Sequence, residues 1–241
     1  MTSVSHGKPC AGNPHARFEE GASAPESPRR NALLHNRKEF IKKMGVAAGI
    51  AALGLGCSKE AATSGTTTLE KTTVSAGKVA VVYFSWSPDG NTRFAATTIA
   101  KKAGAALFEI KAETPYNSDF NKCCDEAKPE CYGKKLRAIK PIEGLDLAKY
   151  DVVLVGTPDW WGTMAPPVRT WVTQNKGALK GKTVCIFQTH GGGGMERVGK
   201  EFAEVVGDAA KILPPKAFPG SSIKSATKAL EAFVTDRLDV K

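Results

Sequence analysis

Five short apolar runs, separated by helix-like stretches, constrain the fold of this chain beyond residue 78. The runs are rich in β-branched residues and almost free of charge, which is typical of parallel strands covered on both faces. Their alternation with amphipathic stretches predicts an α/β domain. The predicted strands are Val79–Phe84, Ala106–Lys111, Val152–Gly156, Thr183–Gln188 and a short strand from Lys211 to Leu213. The predicted helices are Asn91–Lys102, Asp119–Ala127, Ala165–Gln174, Met195–Val206 and Ser225–Leu238.

The loop between the first strand and the first helix has the composition of an anion site. It offers hydroxyls at Ser85, Ser87 and Thr92, and Gly90 lets the backbone approach a ligand closely. The helix that begins at Asn91 points its free N–H groups and its positive dipole end into this loop. No Gly-Lys-Ser/Thr follows, so the loop is not a Walker A sequence. It suits a phosphate monoester held by neutral donors, although it could also be a helix N-cap alone.

Two further loops follow the third and fourth predicted strands, at the edge where open parallel sheets bind ligands. Thr157–Gly162 contains two indoles beside small residues, and Thr189–Gly194 is a glycine run that can follow a flat edge with its backbone. A phosphate at one end and a planar, hydrogen-bonding ring at the other describe FMN. Other interpretations stay open: Trp160 and Trp161 could form a hydrophobic corner, and the glycine run could be a plain turn.

The three loops together resemble the flavodoxin-like family. YFSWSPDGNT, VGTPDWWG and FQTHGGGG stand where one branch of that family has YFSxTGNT, GxPxWWG and TxGGxG. Pro88-Asp89 lengthens the first motif, and His190 stands where the family often has serine. The resemblance covers residues 78–238. It implies a three-layer α/β sandwich, with a five-stranded parallel sheet in the order 2-1-3-4-5 and helices on both faces.

The resemblance also implies an FMN site. The first loop would hold the phosphate, the second would lie along the isoalloxazine, and the third would close the other side with backbone donors. One of the two tryptophans would stack on the ring, and the histidine is either a proton donor near the flavin or a polar loop residue. The expected cofactor-binding residues are Ser85, Ser87, Gly90, Asn91, Thr92, Thr157, Pro158, Asp159, Trp160, Trp161, Gly162, Thr189, His190, Gly191, Gly192 and Gly193.

Three functions fit such a domain. The first is electron transfer, with a redox partner protein or small-molecule acceptor that the sequence does not identify. The second is an NAD(P)H-dependent reductase of quinones or other small molecules, and the third is a binding module that kept the fold without the flavin. The first is the prediction, and no catalytic residue is assigned.

The part of the chain before the domain has a different composition. Residues 1–35 are polar and rich in Pro, Gly, Ser and Arg, which predicts disorder. Residues 36–57 join a basic patch to an apolar run shorter than the ~20 residues of a membrane span. This is typical of an export signal, here of a twin-arginine-like type, with Cys57 as a candidate for lipidation. Residues 58–77 are rich in Ser and Thr and predict a flexible tether. We therefore expect an exported protein, periplasmic or anchored to a membrane.

The charge and the cysteines add three expectations. The formal net charge is +10, of which residues 58–241 keep +6. No zinc finger, RNP motif or basic heptad is present, so we expect no nucleic-acid partner. We hypothesise that the basic surface raises the second reduction potential of bound FMN above that of acidic flavodoxins. Cys185 is expected in the core and Cys131 is a candidate for a disulfide, and without a CxxC motif no metal site is expected.

Overall fold

The computed structural model describes residues 70–87 and 90–241. The predicted N-terminal extension, the predicted export signal and residues 58–69 of the predicted tether lie outside the described residues, as do Pro88 and Asp89 of the first loop. None of the helices in the described ranges combines the length and the apolar character that a membrane span requires.

A parallel sheet forms the middle layer of the domain. Its strands lie in the order β3-β2-β4-β6-β7, which confirms the predicted order 2-1-3-4-5. These strands are β2 (Val79–Tyr83), β3 (Ala106–Glu109), β4 (Val152–Trp160), β6 (Thr183–His190) and β7 (Lys211–Ile212). Every residue of β2 is buried, as expected for a central strand with helices on both faces.

The fifth predicted strand is divided in the structure. β7 pairs with the start of β6, and β8 (Lys216–Pro219) pairs with the end of the same strand. Between them lie Pro214 and Pro215, which have no backbone N–H to donate to the ladder. The edge of the sheet therefore continues to the carboxyl end of β6 after a short break.

Helices cover both faces of the sheet, which confirms the three layers. They are α1 (Asn91–Ala103), α2 (Phe120–Tyr132), α3 (Pro166–Asn175), α4 (Met195–Val206) and α5 (Thr227–Thr235). α1 and α5 pack on one face, and α2, α3 and α4 on the other. Adjacent residues of β2 enter opposite cores, Val81 on the α1 side and Val82 on the α3 side, because side chains alternate along a strand. As predicted, Trp171 is in the core.

Helix α2 differs from its prediction in length and in its cysteines. Asp119 caps it by accepting the Lys122 N–H at 3.0 Å, and the helix continues five residues beyond Ala127 to Tyr132. Cys123 and Cys131 are free and buried, so the expected disulfide at Cys131 is wrong. Two turns of helix separate them, too far for a bridge. Burial raises the pKa of both thiols to about 12, and they pack as small apolar groups, like the buried Cys185.

The two ends of the domain form a second, two-stranded sheet. β1 (Thr72–Val74) pairs in parallel with β9 (Leu238–Val240). Residues 72–74 belong to the stretch predicted as tether, so that prediction is wrong for them. The last predicted helix is also shorter than expected, because the chain turns into β9 after Thr235. Val74 and Leu238 are buried in the same core as α5, which explains why these polar-looking ends are ordered.

Candidate functional site

A cleft at the carboxyl ends of β2, β4 and β6 brings the three predicted loops together. Its walls consist of Trp86, Ser87, Asn91, Thr92, Pro158, Asp159, Trp160, Thr189, His190, Gly191 and Gly220. Nine of these are expected cofactor-binding residues. Ser85, Gly90, Thr157, Trp161, Gly162, Gly192 and Gly193 are not in its walls. Whether any of these residues touches FMN stays a prediction.

Two residues of the cleft were not predicted. Trp86 was recognised only as a member of the first loop, although an aromatic side chain beside a phosphate-type loop was a usable signal. Gly220 comes from the segment after β8, and a Cβ there would lie 2.9 Å from Nδ2 of Asn91. This close approach of a fourth segment to the start of α1 depends on tertiary structure, so no sequence pattern could have revealed it.

The first loop presents the open N-terminus of α1 to the cleft. Gly90 is the N-cap residue, with φ 61° and ψ 40°, and as a glycine it has no side chain to cap the helix. Its carbonyl accepts the Phe94 N–H at 2.7 Å, the first bond of the helix, so the amides of Thr92 and Arg93 precede the intrahelical ladder. The Ser87 hydroxyl accepts the Asn91 N–H at 3.3 Å. The loop therefore has the geometry of an anion-binding helix start.

Earlier in the same loop, the hydroxyl of Ser85 is buried without a hydrogen-bond partner among the described residues. Buried hydroxyls are almost always paired, so this oxygen marks a place where a polar ligand atom fits. In the walls of the cleft, Thr92 Oγ1 and Thr189 Oγ1 share a buried hydrogen bond of 2.7 Å. That bond ties the first loop to the third.

The second predicted loop is instead the end of β4 and a tight hairpin. β4 continues through residues 157–160, and β5 (Thr163–Met164) returns antiparallel to it. The two residues between them, Trp161 and Gly162, have φ of +55° and +76°, which is the combination of a type I′ turn. Asp159 Oδ1 accepts the Gly162 N–H at 2.7 Å and stabilises the turn.

The hairpin carries Trp160 into a cluster of aromatic rings. Only 3% of its surface is exposed, and it makes edge contacts with Tyr116 and Phe84 at centroid distances of 4.8 and 5.7 Å. Tyr116 in turn lies under the guanidinium of Arg137 at 3.7 Å and donates to Glu130 at 2.5 Å. Trp160 is thus largely the hydrophobic corner that was the alternative interpretation, while one edge of it borders the cleft.

A buried ion pair holds the returning strand of this hairpin. Arg169 Nε donates to Glu201 Oε1 at 2.5 Å, and side chains of both residues are at most 6% exposed. The other oxygen of Glu201 accepts the Met164 N–H at 2.9 Å, and Arg169 Nη2 donates to the Met164 carbonyl at 3.3 Å. α3 and α4 therefore hold β5 in place through a buried, desolvated ion pair.

Among the described residues that line the cleft, Asp159 and His190 are titratable. Burial raises the pKa of Asp159 to about 6, although the Gly162 N–H and the Arg197 guanidinium both lower it. Burial lowers the pKa of His190, and its Nδ1 accepts the Gly192 N–H at 3.1 Å. The histidine is therefore neutral near pH 7, with the remaining ring N–H on Nε2. Within residues 70–87 and 90–241, no three His, Cys, Asp or Glu side chains form a group that could bind a metal ion.

The architecture and the cleft can now be compared with known proteins. Residues 78–234 match the family model for flavodoxin. The chain belongs to the flavodoxin family. The match covers the main parallel sheet and the helices of both layers, and it leaves out residues 1–77, which include β1, and residues 235–241, which include β9.

Solved flavoprotein structures are similar to this flavodoxin over 62–65% of its chain. A flavoprotein from Lactobacillus acidophilus NCFM, crystallised in complex with FMN, is 28% identical, with a TM-score of 0.52 over 62% of this chain and 98% of that chain. A candidate flavoprotein from Bacteroides eggerthii DSM 20697 is 26% identical, with a TM-score of 0.52 over 64% of this chain and 97% of that chain. Another from Bacteroides uniformis ATCC 8492 is 22% identical, with a TM-score of 0.53 over 65% and 99%, which shows the fold alone.

Proposed function

We propose that this flavodoxin binds FMN in the cleft and transfers electrons through it. The observations that carry the proposal are two features of the first loop: the buried hydroxyl of Ser85, which has no hydrogen-bond partner among the described residues, and the start of α1, whose N-cap is a glycine. Such a pair of features leaves hydrogen-bond donors without acceptors, which is costly unless a ligand supplies them. A phosphate monoester supplies three oxygens at once.

The donors near α1 suit the phosphate end. The amides of Thr92 and Arg93 and the hydroxyls of Ser85 and Ser87 come from one short segment. None of these donors is a lysine side chain. The negative charge of the phosphate would therefore be stabilised by the dipoles of these groups and by the positive end of the helix dipole.

The rest of the cleft suits a planar ring. Trp86 and Trp160 provide apolar surface in its walls, and the backbone at Gly191 provides polar groups. Trp86 is itself fixed, because its Nε1 donates to the Asn117 carbonyl at 3.1 Å. Bound FMN supplies one- and two-electron chemistry, and the protein orients it, keeps water from one side and sets the charge nearby.

The first experiment is a visible spectrum of the full chain titrated with FMN. We expect flavin absorbance to co-purify or to appear on addition, with saturation at one FMN per chain and quenching of FMN fluorescence. A chain that remains colourless at saturating FMN contradicts the proposal.

The second experiment is the variant Ser85→Ala, with Ser221→Ala at an exposed position as its control. Removing a buried hydroxyl without a partner should leave the free protein as stable as before or more stable, by about 1 kcal/mol in urea unfolding. The same change should weaken FMN binding by about tenfold, which corresponds to about 1.4 kcal/mol. Equal FMN affinity in both variants would mean that the phosphate does not use this hydroxyl.

Electron transfer is tested on the FMN-loaded protein. We expect its reduced form to pass electrons to a one-electron protein acceptor, without steady-state consumption of NADH or NADPH. Sustained NAD(P)H oxidation with a quinone would favour the reductase over the carrier.

A further inference from the structure

The net positive charge of this domain is concentrated at the end opposite the cleft. The segments that precede β2, β4, β6 and β7 meet at the amino-terminal edge of the parallel sheet, together with the last turn of α1. They contact one another directly: the Lys78 carbonyl accepts the Asp151 N–H at 2.9 Å, and the Gly181 N–H donates to the Ala209 carbonyl at 2.7 Å. We call this surface the basic end.

The lysines of the basic end are exposed and largely uncompensated. Six of them are exposed and make no ion pair with any residue that the structure describes: Lys71, Lys78, Lys101, Lys102, Lys176 and Lys180. Two more, Lys182 and Lys211, donate only to neutral oxygens.

Acidic residues at the same end are fewer. Asp146 and Asp239 are already paired, with Lys149 at 3.8 Å and Lys241 at 3.5 Å. Glu70, Asp151, Asp208 and Asp236 are further exposed carboxylates here, and Arg237 adds one more cation. The basic end therefore carries most of the net charge of +6 that residues 58–241 hold.

This charge is in the wrong place to serve the cleft. β4 has nine residues, so about 30 Å separates its two ends at 3.3 Å per residue. Exposed charges act over a Debye length of about 8 Å at physiological salt. The basic end therefore contributes little to guiding a redox partner to the cleft over that distance, and anything that it binds would bind separately from the cleft.

The chain that precedes the domain joins at this same end. Thr72 donates its N–H to the Arg237 carbonyl at 2.8 Å and accepts from Lys211 Nζ at 3.4 Å. Sixty-nine residues precede the first described residue, Glu70. Their sequence includes Arg37, Lys38 and two more lysines, directly followed by the apolar run that ends at Cys57. Basic residues next to an apolar segment are typical of attachment to an anionic bilayer surface.

We propose that the basic end is a docking surface for an anionic lipid bilayer, which holds the domain with its cleft turned away from the membrane. A flat, negatively charged surface complements lysines spread over several loops, and it requires no shaped pocket. The cleft would then stay open to soluble ligands and redox partners while the domain rests on the membrane. This inference does not depend on what the cleft binds.

The test uses the full chain and sedimentation with lipid vesicles. Binding to vesicles with about 30 mol% phosphatidylglycerol is compared with binding to neutral phosphatidylcholine vesicles at the same salt, because the N-terminal apolar run can itself bind both. The test variant is Lys101→Gln/Lys176→Gln/Lys180→Gln. The matched control is Lys111→Gln/Lys122→Gln/Lys140→Gln, which removes the same charge from exposed positions near the opposite edge.

We expect a lysine near an anionic surface to contribute about fivefold in binding. The test variant should therefore lower the preference for anionic vesicles by tenfold or more, up to about a hundredfold, and the control should change it much less. In a second measurement, anionic vesicles should protect the three lysines of the basic end from acetylation and leave those of the control reactive.

Three results would overturn the proposal. The two triple variants could lose the same preference, which would show a general charge effect. Vesicles could protect the control lysines instead. Finally, duplex DNA or RNA at equal salt could bind the natural chain more tightly than the anionic vesicles do and displace it from them. If the test variant also failed to bind this nucleic acid, the basic end would be assigned to nucleic acid.

Discussion

The ionisation of Asp159 makes a quantitative test of the cleft possible. Its side chain is 5% exposed, and burial raises its pKa from 3.8 to about 6. A difference of about two pKa units corresponds to about 3 kcal/mol at 1.36 kcal/mol per unit. Because the pKa of the folded state is the higher one, the unfolded chain releases this proton first as the pH rises. The contribution of the protonated Asp159 to the free energy of unfolding is therefore complete below about pH 4, and it is lost by the time the pH has risen through about 6.

We expect Asp159→Asn to abolish this loss. Asparagine keeps an acceptor for the Gly162 N–H but cannot ionise, so the variant avoids the cost of a buried charge. Its free energy of unfolding, relative to that of the natural chain, should rise by up to about 3 kcal/mol between about pH 4 and about pH 7.5.

Urea unfolding of the full chain without FMN, at four or five pH values in this range, measures the difference. Asp151→Asn is the matched control, since this aspartate is exposed, and it should show no comparable trend. A stability difference between Asp159→Asn and the natural chain that stays constant from about pH 4 to about pH 7.5 would refute the reasoning.

Two further predictions concern the support of the cleft. Gly193→Ala would place a Cβ against the buried carboxylate of Asp159, whereas a Cβ at Gly194 meets no neighbouring atom. We therefore expect Gly193→Ala to weaken FMN binding, measured by fluorescence titration, and Gly194→Ala to leave it unchanged. Equal FMN affinities of the two variants would contradict this packing. Glu201→Gln breaks a buried ion pair and should cost about 3–5 kcal/mol in urea unfolding, while Glu204→Gln breaks an exposed pair with 3.5 Å between the charged atoms and should cost less than about 1 kcal/mol. Similar losses in these two variants would show that the buried pair is not a special support.

Local sequence patterns predicted most of the fold because each central element carries its own signal. The β-branched runs of β2, β4 and β6 and the spacing of buried residues in α4, Val198, Phe202 and Val206, are readable without tertiary information. The boundaries of α4 and the strand order were confirmed. What failed was the part that depends on distant partners. β1 reads as a Ser/Thr-rich tether, and its partner β9 lies more than 160 residues further along the chain.

The site shows the same division. The three loops were predicted to meet, and they do, because parallel strands bring their carboxyl ends to one edge. The hairpin within the second loop was missed, since Trp161 at positive φ is uncommon and resembles none of the usual Asn-Gly turns. The close approach of Gly220 to the start of α1 was missed for a different reason. Only the folded chain shows which segment lies next to Asn91.

The distribution of charge also changes the expectation for the reduction potential of bound FMN. The hypothesis of a raised second potential treated the net charge of +6 as a uniform surface. With most of that charge about 30 Å from the cleft, beyond a Debye length of about 8 Å, nearby groups such as Asp159 and Arg197 should matter more. We therefore expect the Lys101→Gln/Lys176→Gln/Lys180→Gln variant to keep the potential of the natural chain in a redox titration.

The pairing of β1 with β9 determines which part of the domain first bears a mechanical force applied through the N-terminal segment. A load applied through the N-terminal segment reaches three pairs of residues in a parallel ribbon before it reaches the main sheet. If that ribbon peels apart, the eight residues from 70 to 77 become slack, which adds up to about 27 Å of reach at 3.4 Å per residue. Deleting the last four residues of the chain would remove β9 and would free residues 70–77 permanently. The C-terminal strand therefore sets the length of chain that is available between the main sheet and the N-terminal segment.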